Sequence, residues 1–161
     1  MSFEAKWTAH LLLKSNLTVA CAESCTGGLL STFLTDIPGS SAYFMGAVVC
    51  YTNAVKESLV GVQEETLLTY GAVSEPTARE MAEGIRTRMH TNLGVGITGL
   101  AGPGGGTEEK PVGLVYIAVA SELGTQVENY LFQGTRADIR SQAAIKALGM
   151  LTAWIERKLR A

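Results

Sequence analysis

A short apolar run, Leu17-Thr18-Val19-Ala20-Cys21, passes into the small polar stretch Glu23-Ser24-Cys25-Thr26-Gly27-Gly28 and then into Leu29-Leu30-Ser31-Thr32-Phe33-Leu34. That order predicts strand, tight turn and helix, the unit from which layered α/β folds are assembled. Two adjacent glycines permit a turn that residues with side chains resist, and they let a ligand approach the backbone. The first turn of the following helix leaves amide N–H groups free to face such a ligand. Ser24 or Thr26 then either caps that helix, or Ser24 is a nucleophile that shares its turn with an oxyanion hole.

The alternation continues along the chain. Phe3, Trp7 and Leu11 at helical spacing predict an amphipathic helix from Phe3 to Leu13, stopped by Lys14-Ser15-Asn16. Ile37-Pro38-Gly39-Ser40-Ser41 is a turn, and Ala42 to Tyr51 is almost continuously apolar, the pattern of a central strand covered on both faces. Thr52-Asn53 caps a short helix that holds Lys56, and Glu64 to Tyr70 forms another that Gly71 stops. Ser74, with Pro76 in the first turn, opens a long helix to about His90. Leu93 to Thr98 reads as a buried strand that enters the glycine-rich loop Gly99 to Thr107. Val112 to Ser121 and Gln126 to Gln133 make a hairpin through Glu122-Leu123-Gly124-Thr125, and a closing amphipathic helix runs from Ala137 to Leu159. The expected fold is α/β: a three-layer α/β/α domain over residues 1–161, with a mixed, mostly parallel sheet ending in a β-hairpin. Ligands in such sheets bind beyond the carboxyl ends of strands. The loops Glu23 to Gly28 and Gly99 to Thr107 occupy that place.

With 47% hydrophobic and 17% charged residues, the 161-residue chain has the composition of a folded domain. Its formal charge of −2 and scattered basic residues give no footprint for nucleic acid or an anionic membrane. The N-terminal residues lack a charged-then-apolar signal pattern, and no apolar run approaches the ~20 residues that span a bilayer. A cytoplasmic protein is expected. Cys21, Cys25 and Cys50 are odd in number and form no CxxC, which predicts buried reduced thiols. His10 and His90 join no Cys/His cluster, so no metal site is expected. The glycine-rich loop could form a nest of N–H groups for a phosphate or carboxylate, but it matches neither the phosphate loop GxxxxGK[ST] nor a Rossmann GxGxxG, which disfavours a nucleoside triphosphatase.

A serine hydroxyl needs a base, and neither histidine lies in a segment that must face the elbow. Lys56 follows the long apolar strand in Tyr51-Thr52-Asn53-Ala54-Val55-Lys56, which could bring its amine over the same sheet edge as Ser24. As a base it must be neutral, with a pKa drawn below the ~10.4 of free lysine by burial or a nearby cation. Taken alone it reads as a solvated surface lysine sooner than as a base. Tyr51 could relay or position the proton. Cys25 is a rival nucleophile, since a thiol beside a helix N-terminus can have a lowered pKa. Arg136 and Arg140 flank the start of the last helix as a fork for phosphate or as solvated cations.

Six segments share one order: Ala22-Glu23-Ser24-Cys25-Thr26-Gly27-Gly28, Pro38-Gly39-Ser40-Ser41, Tyr51-Thr52-Asn53-Ala54-Val55-Lys56, Gly71-Ala72-Val73-Ser74-Glu75-Pro76, Ile97 to Gly105, and Glu109-Lys110-Pro111-Val112-Gly113. Together, over nearly the whole chain, they resemble the C-terminal domain of the CinA family, the nicotinamide-nucleotide amidases. The resemblance implies hydrolysis of the carboxamide of nicotinamide mononucleotide to nicotinate mononucleotide and ammonia, without a cofactor. It implies Ser24 as nucleophile, Lys56 as base and Tyr51 as an assisting hydroxyl. Thr98 and Arg136 then contact the substrate, within a binding set that extends to Cys25, Thr26, Gly27, Gly99, Gly102 and Arg140. The expected partners are a small-molecule nucleotide and further copies of the chain in a homo-oligomer, with no nucleic acid and no membrane. Longer family members carry an N-terminal domain with pyrophosphatase chemistry, and a chain that starts 21 residues before Ala22 is expected to be the stand-alone form. Some stand-alone homologues are thought to lack amidase activity, so the rival expectation is a catalytically silent nucleotide-binding or regulatory module with the same pocket.

Overall fold

The computed structural model describes residues 2–161. Its elements are α1 (Phe3–Ser15), β1 (Val19–Glu23), α2 (Leu29–Thr35), β2 (Phe44–Val49), α3 (Asn53–Val60), α4 (Glu64–Tyr70), α5 (Glu75–Met89), β3 (Leu93–Gly99), β4 (Leu114–Ser121), β5 (Gly124–Leu131) and α6 (Arg136–Arg160).

Alternation of large and small side chains on the inner strands decides how the layers stack. Strand residues alternate faces, so Val19 and Cys21 of β1, Leu93, Val95 and Ile97 of β3, and Val115, Ile117 and Val119 of β4 share one face. They pack there with α1, α2 and α6 in the larger core. The other face offers Ala20 and Ala22 of β1, Gly94 and Gly96 of β3, and Ala118 and Ala120 of β4, and α5 lies on it through Ala78 and Ala82. The approach is close enough to require glycine. A Cβ on Gly94 would stand 2.2 Å from the Ala82 carbonyl oxygen, and one on Gly96 would stand 2.5 Å from that of Ala78.

The sheet order is β2-β1-β3-β4-β5. Strands β2, β1 and β3 are parallel, β4 is antiparallel to β3, and β5 turns back beside it, so four of the five strands share one direction. The three-layer mixed sheet with its terminal hairpin is therefore the expected one. One strand is placed differently: the apolar run Ala42 to Tyr51 forms an edge strand, not a central one, because β2 pairs only with β1. Its continuous apolarity reflects partial cover. Met45 and Val49 remain 43% and 48% exposed, whereas β1 is buried throughout. β1 itself begins two residues later than the apolar run Leu17 to Cys21 suggests and includes Glu23. The hairpin turn is also tighter, with only Glu122 and Leu123 between the paired Ser121 and Gly124.

From β1 the chain crosses to β2 through α2 on one face and returns to β3 through α3, α4 and α5 on the other. The carboxyl ends of β1 and β3 thus form the point where the winding reverses, the position at which open α/β sheets bind ligands. No helix among the described residues is long and apolar enough to cross a membrane.

The closing helix α6 starts with a capping box in which Thr135 and Asp138 exchange side-chain and backbone bonds. Gly149 lies in its interior, exposed, with nothing within 4 Å of where a Cβ would be. Gly149→Ala is expected to stabilise the protein by about 0.8 kcal/mol, the helix-propensity difference, as read by denaturant unfolding.

Candidate active site

Glu23, the last residue of β1, falls by strand alternation on the face that carries α2. Its carboxylate is fully buried and accepts bonds from the Leu30 N–H (2.9 Å), the Ser31 N–H (3.0 Å) and the Ser31 hydroxyl (2.5 Å). α2 begins after Gly28, which has no side chain to cap it. Glu23 supplies the missing cap from seven residues upstream, and the three donors offset the cost of burying a carboxylate.

Between those anchors runs the elbow. The Ser24 N–H donates to the Ile97 carbonyl (3.0 Å), which extends the β1–β3 pairing by one residue. The Gly27 N–H closes a turn onto the Ser24 carbonyl (3.0 Å), and Gly27 and Gly28 take φ of +59° and +99°, the left-handed region that favours glycine. Neither the Ser24 nor the Thr26 hydroxyl caps α2, which removes the capping explanation for this motif. The amides of Cys25 and Thr26 meet no acceptor among the described residues. The buried Thr26 hydroxyl also has no partner among them.

Across the elbow stands Lys56, one turn into α3, whose start is fixed by the Thr52 hydroxyl accepting the Val55 N–H. Lys56 is 1% exposed, which ends its reading as a surface lysine. Its Nζ lies 3.1 Å from Ser24 Oγ, 2.9 Å from the Cys50 carbonyl and 3.2 Å from the Tyr51 carbonyl. A neutral amine has two N–H bonds and one lone pair. With both N–H bonds given to the two carbonyls, the lone pair is directed at the Ser24 hydroxyl; after protonation, all three N–H bonds find acceptors. Burial lowers the Lys56 pKa, against a smaller opposing pull from the Cys50 and Cys25 thiols. Cys25 is a poor rival, because burial pushes its thiol up to about 12 and leaves essentially no thiolate at neutral pH.

Ser24 and Lys56 open into a cleft of about 230 Å³ whose far wall is the β3 exit and the glycine-rich loop. Thr98 lines it and donates to the Ala72 carbonyl (2.7 Å), tying β3 to the Gly71–Ser74 segment. Gly99 and Gly102 line it too, Gly102 with φ of +75°. Arg136 bridges the mouth, with Nη1 donating to the Gly102 carbonyl (2.7 Å) and Nη2 to the Tyr51 hydroxyl (2.9 Å). Cys25 and Tyr51 also face the cleft, whereas Thr26, Gly27 and Arg140 do not line it. Arg140 instead grips the back of the elbow, donating from Nε to the Cys25 carbonyl and from Nη2 to the Thr26 carbonyl, both at 3.0 Å. Among the described residues no three His, Cys, Asp or Glu side chains converge on a metal position.

Three contributors escape a reading of motifs: the Glu23 carboxylate, the Cys50 carbonyl, and Asn53, which lines the cleft three residues before Lys56. Strand alternation could have placed Glu23, and i,i+3 spacing could have placed Asn53 on the Lys56 face. Nothing in a sequence marks a backbone carbonyl.

A buried serine–lysine pair at the reversal point of a three-layer α/β sheet defines the class. The chain belongs to the CinA C-terminal domain family, whose model matches residues 2–155. A putative competence-damage inducible protein of Acetivibrio thermocellus is 50% identical over 91% of this chain and 36% of its own length. A CinA-like protein of Endomicrobium trichonymphae is 49% identical over 91% of this chain and 34% of its own length. The chain therefore spans about a third of these curated relatives. The crystal structure of competence/damage inducible protein CihA from Agrobacterium tumefaciens matches with a TM-score of 0.86 at 42% identity, covering 95% of this chain and 98% of that one. A CinA superfamily protein from Klebsiella pneumoniae matches with a TM-score of 0.92 at 29% identity, covering 96% of both chains.

Proposed function

We propose that this domain hydrolyses the carboxamide of nicotinamide mononucleotide to nicotinate mononucleotide and ammonia through a serine acyl-enzyme. The observation that carries the reading is the buried Lys56 amine, 3.1 Å from Ser24 Oγ and held by two carbonyls so that it faces the hydroxyl. Lys56 takes the Ser24 proton as Oγ bonds to the carboxamide carbon, and the carbonyl electron pair moves onto oxygen. The unpaired Cys25 amide, on an elbow residue that lines the cleft, is the donor available to that oxyanion. Collapse breaks the C–N bond, the Lys56 ammonium returns its proton to nitrogen, and ammonia leaves. Water then attacks the ester, again giving its proton to Lys56, and Ser24 departs with that proton as nicotinate mononucleotide is released.

Arg136 engages two partners with its five N–H bonds, so three remain for a phosphate, beside the glycine-rich loop. Arg136→Ala is expected to raise KM for nicotinamide mononucleotide about 30-fold, the worth of one charge-assisted pair. Turnover of nicotinamide riboside, which has no phosphate, should change much less.

Ammonia release from nicotinamide mononucleotide, nicotinamide riboside and nicotinamide, measured side by side, tests the proposal. Preference for the mononucleotide is expected. Calorimetric binding of the mononucleotide with no ammonia over long incubation would replace the amidase with the silent binding module.

A further inference from the structure

Arg140 lies behind the elbow, and its contacts have a consequence for the amides in front. Its fork donates at 3.0 Å to two successive carbonyls, those of Cys25 and Thr26. It forms no ion pair with a carboxylate among the described residues. The fit is close: a Cβ on Gly27 would come within 3.1 Å of Nη2. In a trans peptide the C=O and the following N–H point in opposite directions. Holding the Cys25 carbonyl against α6 therefore turns the Thr26 N–H away from α6. The Ser24 carbonyl is likewise fixed by the Gly27 N–H, which sets the direction of the Cys25 N–H. The Cys25 and Thr26 amides, like that of Gly28, lack an acceptor among the described residues, and of these three residues only Cys25 lines the cleft.

The opposite end of the elbow is fixed independently. The Glu23 carboxylate bonds Leu30 and Ser31 and so closes the loop through its own side chain. Between that closure and Ser24, Arg140 is the one side chain among the described residues that bonds the carbonyls of Cys25 and Thr26; the Thr26 carbonyl also accepts the Leu29 N–H at the start of α2 (3.0 Å).

We propose that Arg140 is a positioning residue: its two-point grip on the Cys25 and Thr26 carbonyls holds the elbow turn from which the Cys25 amide faces the oxyanion. The inference rests on the serine–lysine amidase reading for its kinetic consequence, though not for the grip itself. Gripping both carbonyls at once takes donors in a fixed fork, which lysine does not supply. Charge alone does not suffice.

Arg140→Lys is the test, read in two ways. With nicotinamide mononucleotide, kcat is expected to fall about 100-fold, the worth of one oxyanion donor, while KM stays within about twofold. A KM that rises with kcat unchanged would make Arg140 a substrate ligand and overturn the proposal. The second reading needs no activity: iodoacetamide labelling at each cysteine, resolved by tandem mass spectrometry. Loss of the grip should raise labelling of Cys25 at least 10-fold and leave Cys21, fully buried in the β1 core, unlabelled. Unchanged Cys25 protection would overturn the proposal, as would equal labelling of Cys21, which would make Arg140 a determinant of the whole fold. If wild-type protein releases no ammonia, the amidase reading fails while the labelling still decides whether Arg140 holds the elbow.

Discussion

Lys56→Met is expected to lower kcat for carboxamide hydrolysis by about 10⁴-fold, the upper range for removal of a positioned general base. Methionine fits the lysine stem but offers neither a lone pair to Ser24 nor donors to the Cys50 and Tyr51 carbonyls. KM should change little, because Arg136 and the glycine-rich loop are untouched. Lys56→Arg separates base from charge. A guanidinium keeps the cation at every accessible pH and never becomes neutral, so it too should be inactive. An active Lys56→Arg enzyme would overturn the role of Lys56 as base.

The same residue carries a pH signature in stability. Burial lowers its pKa in the folded state, so between that value and the ordinary lysine value the unfolded chain binds more protons than the folded one. Stability contributed by the wild-type residue therefore rises with pH across that window and is lowest below it, where both states are protonated. Subtracting the unfolding free energy of Lys56→Met from that of wild type, pH by pH, isolates this increment from other groups. The difference should grow in favour of wild type as pH increases. A flat difference would mean that Lys56 titrates normally. Activity should rise with pH in the same direction, since only the neutral amine accepts the Ser24 proton.

Period and punctuation made most of the fold readable. The Ser74 cap with its following proline, the glycine after Tyr70 and the helical spacing of the last segment all specify local structure through bonds made within a few residues. The edge position of β2 was not readable, because an apolar run records that a strand is covered and not whether a second strand pairs beside it. At the site, residue types placed Ser24 and Lys56 on the same sheet edge, yet not in contact. Their meeting depends on where α3 sits against α5. Arg136 and Arg140 illustrate the limit most clearly. Four residues apart on one helix, they are equal candidates by composition, but one faces the cleft and the other grips the elbow from behind.

The position of α3 rests on Gly84, and Gly84→Ala is expected to destabilise the protein by about 3 kcal/mol, lowering Tm by about 6–12 °C for a chain of this size. Helix propensity alone would give the opposite sign, since alanine is favoured over glycine by about 1 kcal/mol in a helix interior. The exposed Gly149 follows that rule. Gly84 does not, because α3 ends directly over it: an added Cβ would stand 1.7 Å from the Val60 carbonyl oxygen and 2.8 Å from its carbon. Backbone cannot rotate away as a side-chain tip can, so α3 must lift from α5. Val60 is the last residue of the helix that carries Lys56, and lifting it draws the amine from its 3.1 Å contact with Ser24. A misplacement of about 1 Å is enough to lower turnover about 100-fold. Thermal unfolding and kcat measured on Gly84→Ala beside Gly149→Ala check both effects. A Gly84→Ala protein as stable as wild type would show that α3 can shift freely and that its seat on α5 does not set the serine–lysine distance.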